Sequence, residues 1–427
     1  MAKRLCLVGL DGVPVGLLTR LAESGVMPRV AERIAAGSLR AMRASVPEIS
    51  SVSWSSFMTG TQPGEHGIFG FTDIDPESYE LTFPSFSQLA VPTLWDRLGK
   101  HGLVSVVLNQ PATYPARRIP GAIVSGFVAV DLSRAVQPLH HLGPLRRLDY
   151  RIDIDTLRSR RNHDWLFRDL HRTLDSRRRA LWHLWDFVEW DFLQVVITGT
   201  DRLYHYLWDA LEDRHHPRHE QALQYHSAVD TFVGEIFDRF AAEDADAESR
   251  FWMLSDHGFC GIRQEVQLNA WLRAEGYLNL PEGGTDGLQA MDGDSTAFVL
   301  DPGRIYVHRA DRFARGLVPA DKVQELKREL ADGLRGLRYD GEPIVREVFD
   351  SAQIYQGPQA SRGPDLVALS HPGFDLKGSP TSTETFGRTD LVGMHTYDDA
   401  FLLTPDSIDG DLWIGDLAEI LMQELVP

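Results

Sequence analysis

Seven short apolar runs, spaced along the whole chain and separated by helical patterns, restrict this sequence to few architectures. They are RLCLVGL (4–10), LRAMRAS (39–45), LVSVVLN (103–109), DFLQVVIT (191–198), RFWMLS (250–255), DLVALS (365–370) and AFLLT (400–404). Most are apolar throughout rather than alternating, which is how a strand reads when both faces of its sheet are covered. VGLLTRLAESG (15–25) follows the first run and TLWDRLGKHG (93–102) precedes the third, each with helical spacing. Strands and helices in turn predict an α/β fold: a mostly parallel central sheet with helices on both faces.

The chain has 427 residues, more than one compact domain usually holds. Two stretches fit the core pattern poorly. Residues 130–185 are Arg-rich with Leu and Trp at helical spacing, a helical excursion over the core. Residues 271–385 mix a helix, short strands and Gly/Ser/Thr-rich joints such as PEGGTDG and KGSPTSTET. The expected organisation is a metal-binding catalytic core of 1–270 and 386–427, with an inserted cap over 271–385.

The formal net charge of -18 argues against a nucleic-acid polymer or an anionic membrane as partner. A small anionic substrate remains compatible, because bound cations reverse the local sign. Cys6 and Cys260, the two cysteines, read as buried free thiols rather than a disulfide framework. The opening MAKRLCLVGLDG is too short in its apolar part for a signal segment, and no later run reaches membrane-spanning length. The expectation is a cytoplasmic protein. Its oligomeric state is not readable.

In doubly wound sheets, sites form beyond the carboxyl ends of the strands. Asp11 follows the first run, Asp201 and His205 follow DFLQVVIT, and Asp256 and His257 follow RFWMLS. Asp and His are oxygen and imidazole ligands suited to zinc and its neighbours. Asp201 and His205 stand four apart at a helix start and face one way. Asp256 and His257 are adjacent, but a turn through Gly258 can aim both inward. His395 stands in a Gly-flanked loop, LVGMHTYDD. An Asp after a strand is also a common helix cap, so the pairs weigh more than Asp11 alone. The doublets His140–His141 and His215–His216 read as solvated, and Arg177–Arg179 as a solvent-facing helix stripe.

The segment VPEISSVSWSSFMTGTQPGEHGIFGF (46–71) places five serines before a TG pair. Residue type alone reads it either as a loop capping a helix that stops at Gly60, or as a serine at a helix N-terminus, where free amides favour an anion. It does not say which serine.

Together these residues resemble the type I phosphodiesterase/nucleotide pyrophosphatase branch of the alkaline phosphatase superfamily. The likeness runs through LDG, the serine segment ending TG–P–HGI, NQPATYP (109–115), TGTDRLYH, SDHGF, NAWL (269–272), RIYVHR (304–309), GPDL (363–366) and GMH. The resemblance implies an alkaline-phosphatase-like fold and a two-metal hydrolase of phosphate esters. The family's nucleophile lies nine residues before the Thr of TG, which is Ser50 here. One metal would be held by Asp201, His205 and His395, and the other by Asp11, Asp256 and His257, with Ser50 joining it in the reaction. Ser53 stands where a phosphate contact is expected, and Val52 replaces a common Pro. The implied cofactors are two divalent ions, zinc first and manganese second. The implied partner is a small phosphorylated substrate, a diester or nucleotide pyrophosphate. A phosphomonoesterase on the same scaffold is the alternative, followed by a phosphotransferase or mutase and a non-catalytic metal-stabilised protein.

Overall fold

The first apolar run becomes the middle of an eight-stranded sheet. In chain order its strands are β1 (Leu5–Leu10), β2 (Ser38–Met42), β3 (Ser105–Gln110), β4 (Gly121–Ser125), β5 (Val136–Gln137), β6 (Phe192–Ile197), β7 (Phe251–Leu254) and β8 (Ala400–Thr404). They lie in the order β2-β8-β7-β1-β6-β3-β4-β5. The five inner strands from β7 to β4 are mutually parallel, with Val8 opposite Val195 and Leu108 opposite Val195 on its other side. β8 and β5 run antiparallel to their neighbours, and β2 antiparallel to β8. β1, β3, β6 and β7 are buried along their whole length, as their continuous apolar reading required.

This topology gathers five chain segments at one edge. β1, β6 and β7 all end there, and β2, antiparallel to an antiparallel strand, ends there too. β8 begins there. The sequence just after β1, β6 and β7, the segment leading from β2 to Ser50, and the residues before β8 are therefore neighbours in space.

In this computed structural model residues 4–281, 287–291 and 294–426 are described. The chain divides into two units. The first comprises Met1–Thr61, Ser85–Cys260 and His395–Pro427, and the second Gln62–Pro84 and Gly261–Met394. The second unit thus begins ten residues before the expected 271, ends after 385, and also takes in 62–84. It has a core of its own around Phe298, Ile305, Tyr306 and Leu330.

Several sequence readings are corrected. DLVALS is a strand (Leu366–Ser370), but it belongs to an antiparallel sheet of the second unit, beside Arg304–Val307 and Val345–Asp350. It is buried on both faces there as well, so its continuous apolar character could not tell the two sheets apart. The 130–185 excursion is helical, ending in the long helix His163–Phe187. Within it Arg177 is only 1% exposed, not solvent-facing, and donates to Ile152 O at 2.9 Å. His141 is buried against His183, with ring nitrogens 3.1 Å apart, while His140 is exposed. Cys6 is buried, but Cys260 is only half-buried.

Candidate metal and phosphoester site

Asp11, the first residue after β1, points into the edge rather than capping a helix. The following helix (Val15–Glu23) starts at Pro14 without a side-chain cap. The Asp11 carboxyl is 2% exposed. Its Oδ2 accepts from Trp54 Nε1 at 3.2 Å, and its backbone carbonyl accepts from Thr200 Oγ1 at 2.6 Å. Asp201 lies in the first turn of the helix Gly199–Leu207, and His205 one turn later. Asp201 Oδ2 accepts from Arg202 Nη1 at 3.0 Å, while Oδ1 faces His205 Nε2 at 3.4 Å and His395 Nε2 at 3.2 Å. The four-residue spacing thus does what helical periodicity predicts. After β7, Asp256 Oδ1 accepts from the Gly12 amide at 3.1 Å, and Oδ2 lies 3.3 Å from His257 Nε2 without a hydrogen-bond partner of its own.

One pattern repeats. Each carboxylate has one oxygen held by a donor: Asp11 Oδ2 by an indole, Asp201 Oδ2 by a guanidinium, Asp256 Oδ1 by an amide. The other oxygen of each faces imidazole nitrogen. Two of the three imidazoles follow suit. His395 Nδ1 lies 3.0 Å from Glu48 O and His257 Nδ1 3.0 Å from Gly258 O, contacts in which each ring donates. The Nε2 lone pairs are thereby turned to the cluster. The rings of His257 and His395 stack at 3.7 Å, and Phe259 packs edge-on against His205 and His395.

The electrostatics are those of a site short of positive charge. Burial, then the negative charges of Asp256 and Asp201, push Asp11 well above the ordinary carboxylate range. Burial lifts Asp256 to about 7, with the Gly12 amide opposing. Burial would lift Asp201 too, but His205, His395 and Arg202 outweigh it and hold it well below the usual range. Burial, then the neighbouring His257, takes His395 down to about 3, so its ring is neutral with a free lone pair. Imidazole nitrogens and half-compensated buried carboxylate oxygens stand only 3.1 to 3.4 Å apart, a crowding that a cation among them relieves. The donor set therefore fits divalent metal. Asp201, His205 and His395 offer ligand atoms within 4.8 Å of one another, and so do Asp11, Asp201 and His257.

Ser50 is the first residue of the helix Ser50–Thr59, which ends at Gly60 in the left-handed conformation (φ 72°). Its Oγ lies 3.0 Å from His257 Nε2 and 3.5 Å from Asp11 Oδ1. A histidine does stand beside Ser50, brought from 207 residues away. Ser51 Oγ is buried without a hydrogen-bond partner, whereas Ser55 bonds back to the carbonyl of Ser51 at 2.6 Å. Ser53 bonds within its own segment. It is fully buried and engages Ser45, with the two Oγ atoms 2.8 Å apart.

A profile of the type I phosphodiesterase / nucleotide pyrophosphatase family matches residues 5–398. The chain belongs to that family. Phosphoester hydrolysis is the chemistry of its members. No curated protein sequence matches the chain. Among solved structures, phosphonoacetate hydrolase from Sinorhizobium meliloti 1021 in complex with phosphonoformate superposes with a TM-score of 0.65 at 14% identity, covering 99% of this chain and 95% of that one. Murine ectonucleotide pyrophosphatase/phosphodiesterase 5 gives 0.59 at 13% identity over 99% and 95%. The alkaline phosphatase PafA gives 0.60 at 13% over 99% and 96%. The fold is alkaline-phosphatase-like, in which divalent metals are the usual cofactors.

Trp54, Thr200, Arg202 and Phe259 also shape the site, and the sequence reading passed over all four. Three stand inside recognised motifs of the family, between or beside the ligands. Trp54 sat in plain view within the serine segment. Asp153, which binds Arg202, carried no signal, because its partner is 49 residues away.

Proposed function

We propose that this family member hydrolyses phosphoric esters through a covalent phosphoserine at Ser50, with a diester or nucleotide pyrophosphate as substrate. The supporting observation is the repeated pinning of one atom of Asp11, Asp201, Asp256, His257 and His395 with the other turned to Ser50 or to a shared centre. Asp201, His205 and His395 would hold one divalent ion, and Asp11, Asp256 and His257 the second, zinc or manganese by donor type. Two such ions supply charge neutralisation for the attacking and departing oxygens.

The chain's own residues do the rest. The helix start at Ser50 presents Oγ to phosphorus beside a positive dipole end. Oγ bonds to phosphorus, the bond to the leaving oxygen breaks, and the hydroxyl proton passes to solvent. Water then attacks the phosphoserine, the Oγ–phosphorus bond breaks, and Oγ regains a proton. Trp54, Arg202 and Gly12 N keep the carboxylates in place through both steps.

The test uses zinc- or manganese-reconstituted protein with bis-p-nitrophenyl phosphate, p-nitrophenyl phosphate and a nucleoside 5′-monophosphate ester. The reading expects the diesters to be faster and a phosphate adduct on the peptide holding Ser50 after acid quench. Ser50→Ala should lose turnover by at least about 10³-fold while still binding two ions per chain. An active Ser50→Ala with a dead Ser51→Ala would show that the nucleophile is the neighbouring serine.

A further inference from the structure

The long excursion between β5 and β6 has a job at the metal cluster that its sequence did not disclose. The segment 151–155 is fastened to the helix His163–Phe187 at four points. Arg177 Nη2 donates to Ile152 O at 2.9 Å, and the Arg151 amide donates to Ser176 Oγ at 3.1 Å. Asp169, fully buried, takes Arg151 Nη2 on one oxygen at 2.8 Å and the Asp155 amide on the other at 2.7 Å. Asp153 bonds elsewhere. Its Oδ2 receives Arg202 Nε at 3.0 Å and Nη2 at 2.8 Å, while Nη1 of the same guanidinium goes to Asp201 Oδ2 at 3.0 Å. The ring of Phe127 lies 4.0 Å beneath the guanidinium carbon.

We infer that Asp153 and Arg202 form a positioning relay that fixes which oxygen of Asp201 faces His205 and His395. This rests on the reading of Asp201 as a metal ligand.

The argument is geometric and electrostatic. A carboxylate at the start of a helix can rotate to offer either oxygen. Arg202, planar and holding both carboxylates at once, ties Asp201 Oδ2 and leaves Oδ1 for the imidazoles. A lysine cannot span the two. The side chains of Arg202 and Asp153 are 11% and 15% exposed, so solvent does little to loosen the pair. Arg202 alone would cancel the charge of Asp201 and weaken it toward a cation. Asp153 restores the balance: Asp201, Arg202 and Asp153 together carry one negative charge. The relay therefore supplies orientation through Arg202 without surrendering attraction for a divalent ion. Residues behind a metal ligand typically alter affinity by about 10–100-fold when changed.

The experiment titrates zinc into metal-free full-length protein against a chromophoric chelator, resolving the two binding events, with apo stability in urea as the folding control. Asp153→Asn should weaken one event by about 10–100-fold and leave the other as in the unaltered protein. Asp153→Glu should recover most of the loss. Arg202→Lys, which keeps the charge but not the fork, should also weaken the same event, and it serves if Asp153→Asn does not fold. Two events of unchanged affinity in a folded Asp153→Asn or Arg202→Lys protein would overturn the relay. If the unaltered protein itself binds no pair of ions, the metal reading fails instead, and the two failures are distinct.

Discussion

Gly9→Ala probes the link between the sheet and the site most directly. A β-carbon at Gly9 would lie 2.7 Å from Trp54 Cη2 and 3.3 Å from Val196 Cγ2. Carbon atoms rest at about 3.5 Å or more, so the indole must withdraw by roughly 0.8 Å. Trp54 has no room to do so freely: it is fully buried and packs edge-on against Phe57 at 5.7 Å. Overfilling a closed core of this kind costs about 1–3 kcal/mol. The same movement draws Nε1 from Asp11 Oδ2, and a buried acceptor that loses its donor adds about 1–3 kcal/mol if the bond is lost outright. With the bond lost outright the expected total is about 2–6 kcal/mol, read as a lower urea midpoint of the metal-free protein with an unchanged m-value. Turnover should fall as well, because Asp11 is no longer held. Trp54→Phe removes Cη2. In that background Gly9→Ala should cost at least about 1 kcal/mol less, the size of coupling expected between touching residues. Equal costs in both backgrounds would refute the argument, since the strain would then lie in the sheet and not against Trp54.

Other outcomes follow from the same geometry. Removing metal from the holoenzyme with a chelator should lower its thermal midpoint, and zinc should restore it, because cations bound only by the folded state stabilise it by about 2.7 kcal/mol at a hundredfold excess over Kd; an unchanged midpoint would count against two filled sites. His226 is buried, hydrogen-bonded to Tyr204 at 2.8 Å, and held down to about 4 by burial. The unfolded chain takes up this proton near pH 6.5 and the folded one does not, so stability present above that pH is lost as pH falls toward 4, on the order of 3 kcal/mol in full. The urea midpoint should therefore drop less between pH 7 and pH 5 in His226→Gln than in the unaltered protein.

The sheet was legible because a strand covered on both faces is apolar at every position, and β1, β3, β6 and β7 are such strands. Most of the Asp/His cluster was legible for a related reason. Asp11, Asp201, His205, Asp256 and His257 follow three of those strands closely, and parallel strands end at one edge. His395 is different. It reaches the edge because β8 is antiparallel and begins where the others end, a fact of topology with no local trace. The choice of Ser50 came from resemblance, since five serines in one segment look alike in sequence. Burial within a helix was the weakest reading. Arg177 and His141 sit in stretches with the composition of a solvated surface, and it is Ile152 O and His183 that account for their burial.

The three carboxylates differ in what restrains them, and the difference has a consequence. Replacing a buried charged cluster by apolar side chains of like volume is often stabilising, so a chain that keeps Asp11, Asp201 and Asp256 this close keeps them at a cost to its own fold. Two are restrained by neutral donors, an indole and an amide, which fix an oxygen without changing the charge of the site. Among the described residues, only Asp201 is restrained by a cation, and only behind Asp201 stands a further carboxylate. If Arg202 were there simply to lessen repulsion, Asp153 would undo its work. Asp153 makes sense when the requirement is a fixed oxygen and an undiminished negative charge together, which is what a carboxylate beside two imidazoles would offer a cation. The amide and the indole, being neutral, need no such partner.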